Sequence, residues 1–232
     1  MLRRSVLALL PAAAVTLALA ACSDDTDAAP EVKAADALNA ARTAFDSAGS
    51  AQVALTSTDV PTGQSGVTGA TGVAVISTTQ PKFDGQIAGT FSGVTGNVAV
   101  RAIGTQAWVK LFTDTFEPFD LEGAGAPNPA ALFDPNAGLS ALMGDTTAAA
   151  YGDKVRSGKE ILTTVTGAVP GSRIQELLML GDGTGTFDVT YGITEAGELR
   201  TITTKGAFYG TAISTYDIAL TEYGTPIEIS AP

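Results

Sequence analysis

The sequence predicts an α+β protein: one strongly curved antiparallel sheet, with helices laid on one of its faces. Three features predict it. Strand-length alternations of apolar and polar residues recur at a spacing of roughly ten residues, runs rich in Gly separate them, and helical periodicity is confined to three places. A sheet of about ten strands tends to curl rather than stay flat. Helices supplied by the interruptions can then bury one face.

Taken in order, Glu31 to Ser47 is helical. Val32, Leu38, Ala41 and Phe45 fall near one face, the charges lie elsewhere, and Gly49 is a stop signal. Strands follow at Gln52–Ser57, where Val53 and Leu55 alternate with polar residues, and at Val73–Ser77, Phe83–Phe91, Val98–Ile103 and Gln106–Phe112. Thr68–Gly72 and Val94–Gly96 are read as the Gly-rich turns between them. Asn128–Met143 interrupts the sheet. Pro129 and Pro135 suit first helical turns, with Asn128 and Asp134 as N-caps, so two short helices are expected. Thr146–Tyr151 is read as a turn, Lys159–Val169 as a strand, and Ser172–Leu180 as a helix capped by Ser172 with Ile174, Leu177 and Leu178 at i, i+3, i+4. The remainder is strand: Gly185–Thr194, Glu198–Phe208, Thr211–Tyr223 and Ile227–Ala231, with hairpin turns at Glu195–Glu198 and near Tyr209–Gly210.

Composition narrows the chemistry. There is no His among 232 residues, so no Ser-His-Asp or Cys-His arrangement and no His-based zinc site can exist. One cysteine, Cys22, excludes an intramolecular disulfide, a Cys-x-x-Cys pair and a thiolate cluster. With 13 basic and 24 acidic residues, the net charge of −11 argues against a nucleic-acid partner and against charge-driven binding to anionic headgroups. The apolar residues are mostly small: 39 Ala stand beside 19 Leu, 16 Val, 11 Ile and 15 aromatics, with 26 Gly and 31 Thr. A sheet lined by such residues leaves volume unfilled unless they pack tightly against Leu and Phe of the helices. Both arrangements are open at this level.

The N-terminus carries a secretory signal. Arg3 and Arg4 precede an almost wholly apolar run from Val6 to Ala21, shorter than a membrane-spanning helix needs and followed by no stop-transfer charges. Its end, Leu19-Ala20-Ala21-Cys22, resembles the bacterial lipobox. That resemblance implies cleavage before Cys22, acylation of its thiol, and anchoring on the extracytoplasmic face of the cell membrane. More than one acyl chain is needed for stable anchoring. The expected organisation is therefore a signal peptide over 1–21, an acidic tether over 22–30 bearing the lipidated Cys22, and one domain over 31–232. The aspartates of Ser23–Pro30 lack the Gly and distal Glu of a calcium loop and read as a solvated linker.

Three blocks carry a further resemblance. The Asn128–Met143 run, with its Phe-Asp-Pro-x-x-Gly-Leu core, the Lys159–Val169 strand leading to Ile174 and Leu177, and the end Leu220–Pro232 are similar in order and spacing to the LppX/LprAFG family of actinobacterial, mycobacterial-type lipoproteins. The resemblance implies an incomplete β-barrel like that of periplasmic lipoprotein carriers. Its helices would cover the concave face and enclose an apolar cavity for multi-acyl lipids or glycolipids moved between membrane layers. It implies no enzyme activity, no cofactor and no metal; a lipid exporter is a possible partner. Parity nominates the lining. Val98, Val100 and Ala102 share one face of their strand, away from Arg101, and Ala107, Val109 and Leu111 share one face of the next, away from Lys110, which belongs in water. Leu132, Phe133, Leu139 and Leu142, with Ile174, Leu177 and Leu178, are the candidate lids. The alternative is an adaptor lipoprotein that docks an envelope protein through a sheet edge or a patch at Trp108 and Phe112.

Other constellations fail on context. Gly181-Asp182-Gly183-Thr184-Gly185 lacks the Lys-Ser/Thr of a phosphate loop. The carboxylate pairs Glu117/Asp120 and Glu195/Glu198 sit in solvated loops and turns, and no Gly-x-Ser-x-Gly elbow occurs.

Overall fold

The computed structural model describes residues 33–91 and 93–232. Cys22, the expected signal and tether, and the first two residues of the expected first helix lie outside the described residues. In chain order the elements are α1 (Ala34–Ala48), β1 (Ser50–Thr58), β2 (Gly66–Val75), β3 (Lys82–Phe91), β4 (Val94–Ile103), β5 (Gln106–Lys110) and β6 (Glu117–Pro118). A 3₁₀ turn (Pro129–Phe133) and α2 (Leu139–Gly144) follow. The second half holds β7 (Thr147–Ser157), β8 (Glu160–Pro170), α3 (Gly171–Leu178), β9 (Thr186–Ile193), β10 (Leu199–Tyr209) and β11 (Ala212–Thr221).

All the strands form one antiparallel sheet in the order β6-β5-β4-β3-β2-β1-β11-β10-β9-β8-β7. It is two meanders joined where the first strand meets the last, with Val53 opposite Leu220 and Leu55 opposite Ile218. β6 and β7 are its two edges and do not pair, so the sheet is open. The segment between them must therefore travel from one edge to the other. Its path is fixed by hydrogen bonds: the Asn128 side chain donates to the Gly104 carbonyl, Ser77 N donates to the Phe133 carbonyl, and Arg42 of α1 donates to Ser140 of α2.

Period-two alternation divides the sheet into an inner and an outer face. The inner face carries Val53, Leu55, Phe83, Ile87, Val100, Tyr191, Ile202, Tyr216 and Ile218, all buried. The outer face keeps polar partners in reach of water, such as Arg101 with Asp84 at 2.6 Å and Thr203 with Asp217 at 2.6 Å. α1 buries Ala34, Leu38, Ala41 and Phe45, ends at Gly49 in the left-handed region, and packs against α2, β7 and β10. Each large apolar side chain so buried contributes about 1.5–3 kcal/mol. The centre of the molecule is filled: Phe45, Phe83, Phe133, Tyr191, Phe208 and Tyr216 are all fully buried.

Several expected elements are corrected. Thr68–Gly72 and Val94–Gly96 are not turns but parts of β2 and β4, because neighbouring strands complete their hydrogen-bond ladders. Thr147–Ser157 is a full edge strand, paired with β8 through two irregularities that break its alternation. Asp134 does not cap a helix from Pro135. It ends the 3₁₀ turn and its carboxylate accepts from Asn136 N, so α2 starts only at Leu139. Ser172 makes no capping bond to α3, which begins one residue earlier. Residues 227–231 form no strand; the Ile229 and Ser230 carbonyls accept hydrogen bonds from the Lys82 and Arg101 side chains rather than from a neighbouring strand.

Candidate functional site

A cleft opens between the inner face of β2–β5 and the loop that follows β6. The strands contribute Val67, Ile87, Val98, Val100 and Val109, Leu111 follows directly after β5, and the loop contributes Phe119, Leu121, Ala124, Ala126 and Pro127. The register explains the strand half. Ile87 lies opposite Val98, and Val100 opposite Val109, so alternate residues of adjacent strands form one apolar surface. The loop half is held by its own backbone. Phe119 N donates to the Ala107 carbonyl, Ala126 N to the Leu121 carbonyl, and Gly123 N to the Asp120 carboxylate, which turns the chain so that Leu121 and Ala126 point inward. Asp120 of the Glu117/Asp120 pair is thus engaged in a turn.

The cleft is a small hollow of about 70 Å³, partly open to solvent, and no polar surface contributes to its lining. A polar group adjoins it at Val67, whose carbonyl accepts a 2.8 Å hydrogen bond from the Tyr216 hydroxyl. Burial pushes the Tyr216 phenol well above its ordinary range, with the Tyr209 hydroxyl adding to the shift, so the group is neutral. Nothing lining the cleft titrates, and it therefore offers dispersion and hydrophobic contact but no acid, base or nucleophile. A wider hollow on the outer face, at Gln52, Thr71 and Asp84, is partly polar. Among the described residues no cluster of metal-ligating side chains occurs, and no helix is long and apolar enough to cross a membrane.

Of the residues nominated from sequence, Val98, Val100, Val109 and Leu111 meet at this cleft. Ala102 lies fully buried further along the same face, between Phe83 and Ala107. Phe133, Leu139, Leu142, Ile174 and Leu177 are buried in the core, with Leu132 and Leu178 packed against it, and none of the seven lines the cleft. Cys22 lies outside the described residues. Sequence reasoning did not nominate Val67, Ile87 or the loop residues Phe119–Pro127. Phe83, Gly85 and Ile87 share a face by parity, a signal that was present, whereas nothing in a Gly- and Asp-rich loop indicates which side chains turn inward.

The architecture is that of a known class of open antiparallel sheet lipoproteins. LprF from Mycobacterium bovis superimposes with a TM-score of 0.72 at 16% identity, covering 86% of this chain and 96% of that one. Mycobacterium tuberculosis lipoprotein LppX gives 0.61 at 16% identity, covering 85% and 98%. By sequence, residues 33–229 match the LppX_LprAFG lipoprotein family, and the chain belongs to it. No curated protein matches the chain by sequence.

Proposed function

We propose that this protein is a cell-envelope lipoprotein, anchored through acylated Cys22 on the extracytoplasmic face of the cell membrane. In this reading it binds the acyl chains of multi-acyl lipids or glycolipids and carries them between membrane layers, in exchange with a lipid exporter. The observation that carries the reading is the cleft itself, an open-mouthed hollow with a wholly apolar lining. Family membership supports it.

Val98, Val100, Val109 and Leu111 would hold the chain against the sheet, and Leu121 and Ala126 would close it from the side. Each buried methylene contributes about 0.8 kcal/mol, so a chain seated along the cleft is held without any polar contact. Uptake of further chains requires the crossover that carries Phe133 and Leu142 to lift from the sheet. No catalytic residue and no cofactor belong to this reading. The test is organic extraction and native mass spectrometry of the mature chain carrying Cys22→Ser, with uptake of a fluorescent acyl lipid. Co-purifying acyl lipid is expected in the wild-type cleft, and Val100→Trp is expected to weaken uptake about tenfold or more by displacing methylenes. Lipid-free protein that takes up no probe would overturn the proposal.

A second reading, an adaptor that docks an envelope protein, draws on Phe112, which is 96% exposed beside Leu111. It predicts that Phe112→Ser abolishes partner capture while leaving acyl uptake intact.

A further inference from the structure

The β7–β8 hairpin projects from the free edge of the sheet. β8 pairs with β9 only from Thr163 onward, so the hairpin tip extends beyond the β9 ladder, and every residue from Tyr151 to Ile161 is exposed. Register sets one of its faces. Arg156 lies opposite Ile161, and Lys154 lies opposite Thr163. The ladder slips between Tyr151 and Lys154, which brings Tyr151, opposite Val165, onto that same face although it stands three residues from Lys154. The face therefore presents Tyr151, Lys154, Arg156 and Ile161, with Lys159 in the turn at its end.

Its charge is opposite to that of the chain. Lys154, Arg156 and Lys159 fall within six residues of a protein whose net charge is −11. Among the described residues the salt bridges engage Arg101, Arg173 and Arg200, and none of these three. Of the two acids beside them, Glu160 is held by Arg200 at 2.9 Å, which leaves Asp153. Cations and a register slip on an edge strand also discourage another sheet from pairing with it. That accounts for Lys154 and Arg156, but not for Tyr151 and Ile161, which stay exposed beside them. A phenol, a branched apolar side chain and cations on one surface suit a bilayer interface, where the ring sits at headgroup level and the cations meet lipid phosphates.

We propose that the β7–β8 hairpin is a second membrane contact, seated on the anionic headgroups of a lipid bilayer. It lies outside the acyl-binding reading, since none of its residues lines the cleft. The overall negative charge does not oppose it. Charges more than about 8 Å apart are largely screened at physiological ionic strength, so the bilayer meets the hairpin and not the sum over the chain. The tether keeps it within reach: α1 begins at Ala34 and packs against β7, and the chain from Cys22 to Val32 spans at most about 36 Å. An acyl anchor at Cys22 would limit the distance from the bilayer, and the hairpin would decide which side of the protein faces it.

The experiment is co-sedimentation of the mature Cys22→Ser chain, which lacks the anchor, with vesicles of phosphatidylcholine alone or mixed in equal parts with phosphatidylglycerol. Wild type should bind the mixed vesicles, bind phosphatidylcholine far less, and be released as salt is raised. Each cation near the surface is worth about fivefold in partitioning. Replacing Lys154, Arg156 and Lys159 together by Ala should therefore weaken binding about a hundredfold. Ile161→Ser should weaken it less, and Lys205→Ala, at an exposed cation of β10, should leave it unchanged. Circular dichroism verifies the fold of each variant, and Arg156→Ala alone, expected to lose about fivefold, decides if the triple variant does not fold. Equal binding by wild type and the folded variants, or equal binding to the two vesicles, overturns the inference. So does a dimer or a protein complex that the same substitutions dissolve in a chain that binds no vesicle. Acyl-probe uptake in solution is measured separately, so loss of either property leaves the other standing.

Discussion

Ser140, completely buried in α2, donates a 2.8 Å hydrogen bond to the Asp46 carboxylate of α1 while accepting one of 3.0 Å from Arg42 on the same helix. α2 is one and a half turns long and its N-terminal Gly138 supplies no side-chain cap, so little of its stability is intrinsic. The hydroxyl ties it to α1, and the other Asp46 oxygen is already buried without a partner. Ser140→Ala therefore strands two polar groups and should cost about 1–3 kcal/mol. Chemical denaturation checks this, with faster amide exchange expected first in α2 and α1.

The glycines of the sheet divide into those that cannot be changed and those that can. At Gly85 a Cβ would lie 2.2 Å from the Thr71 carbonyl and 2.7 Å from Gly72 Cα, both backbone, so Gly85→Ala must push β2 and β3 apart and should cost about 1–3 kcal/mol or more. At Gly96, in the exposed start of β4, a Cβ meets nothing within 4 Å. Gly96→Ala should change stability by no more than about 0.5 kcal/mol. Equal melting midpoints for the two variants would contradict the packing described.

Ile174 and Leu177 form the buried stripe of α3, which meets β8 and β9. If they are core, Ile174→Ala should lower stability by about 2–5 kcal/mol and leave acyl affinity unchanged in the folded fraction. A lid would behave oppositely, with altered uptake kinetics at little cost in stability. Denaturation and probe uptake on the same sample separate the two.

Three tyrosines tie the fold to alkaline pH. Burial holds the phenols of Tyr191, Tyr216 and Tyr223 neutral well above the ordinary range, while their hydroxyls are engaged by Thr146, by the Val67 carbonyl and by the Leu199 carbonyl respectively. In the unfolded chain each ionises near pH ~10. A group whose folded pKa is raised contributes stability that is intact below the unfolded value and is lost as pH climbs toward the folded one. Stability should therefore fall steadily from about pH 10 upward. The phenolate absorbance of these three, assigned with Tyr→Phe variants, should appear only together with loss of the circular dichroism signal.

Much of this was legible in the sequence, for reasons that are local. Period-two alternation marked Val53 and Leu55, and likewise Val100 and Ala102, as inward-facing, because a strand's geometry leaves its side chains two directions only. The hairpin at Glu195–Glu198 was readable from its Gly, and α1 from its repeat of Leu38, Ala41 and Phe45. What failed was wherever a partner overrides local preference. Thr68–Gly72 looks like a turn until β1 and β3 pair with it, and Thr147–Ser157 becomes a strand because β8 offers an edge. The absence of histidine and the solitary cysteine set the class of chemistry from composition alone, since no fold can supply a missing functional group. Only the tertiary structure decided where space remains. The abundance of Ala and Gly left a hollow and a filled interior equally open; Phe83 and Phe133 stand buried in the centre, and the apolar cleft lies beneath the loop from Phe119 to Pro127. Volume is a property of how distant segments meet, and sequence patterns, which report only on neighbours along the chain, do not contain it.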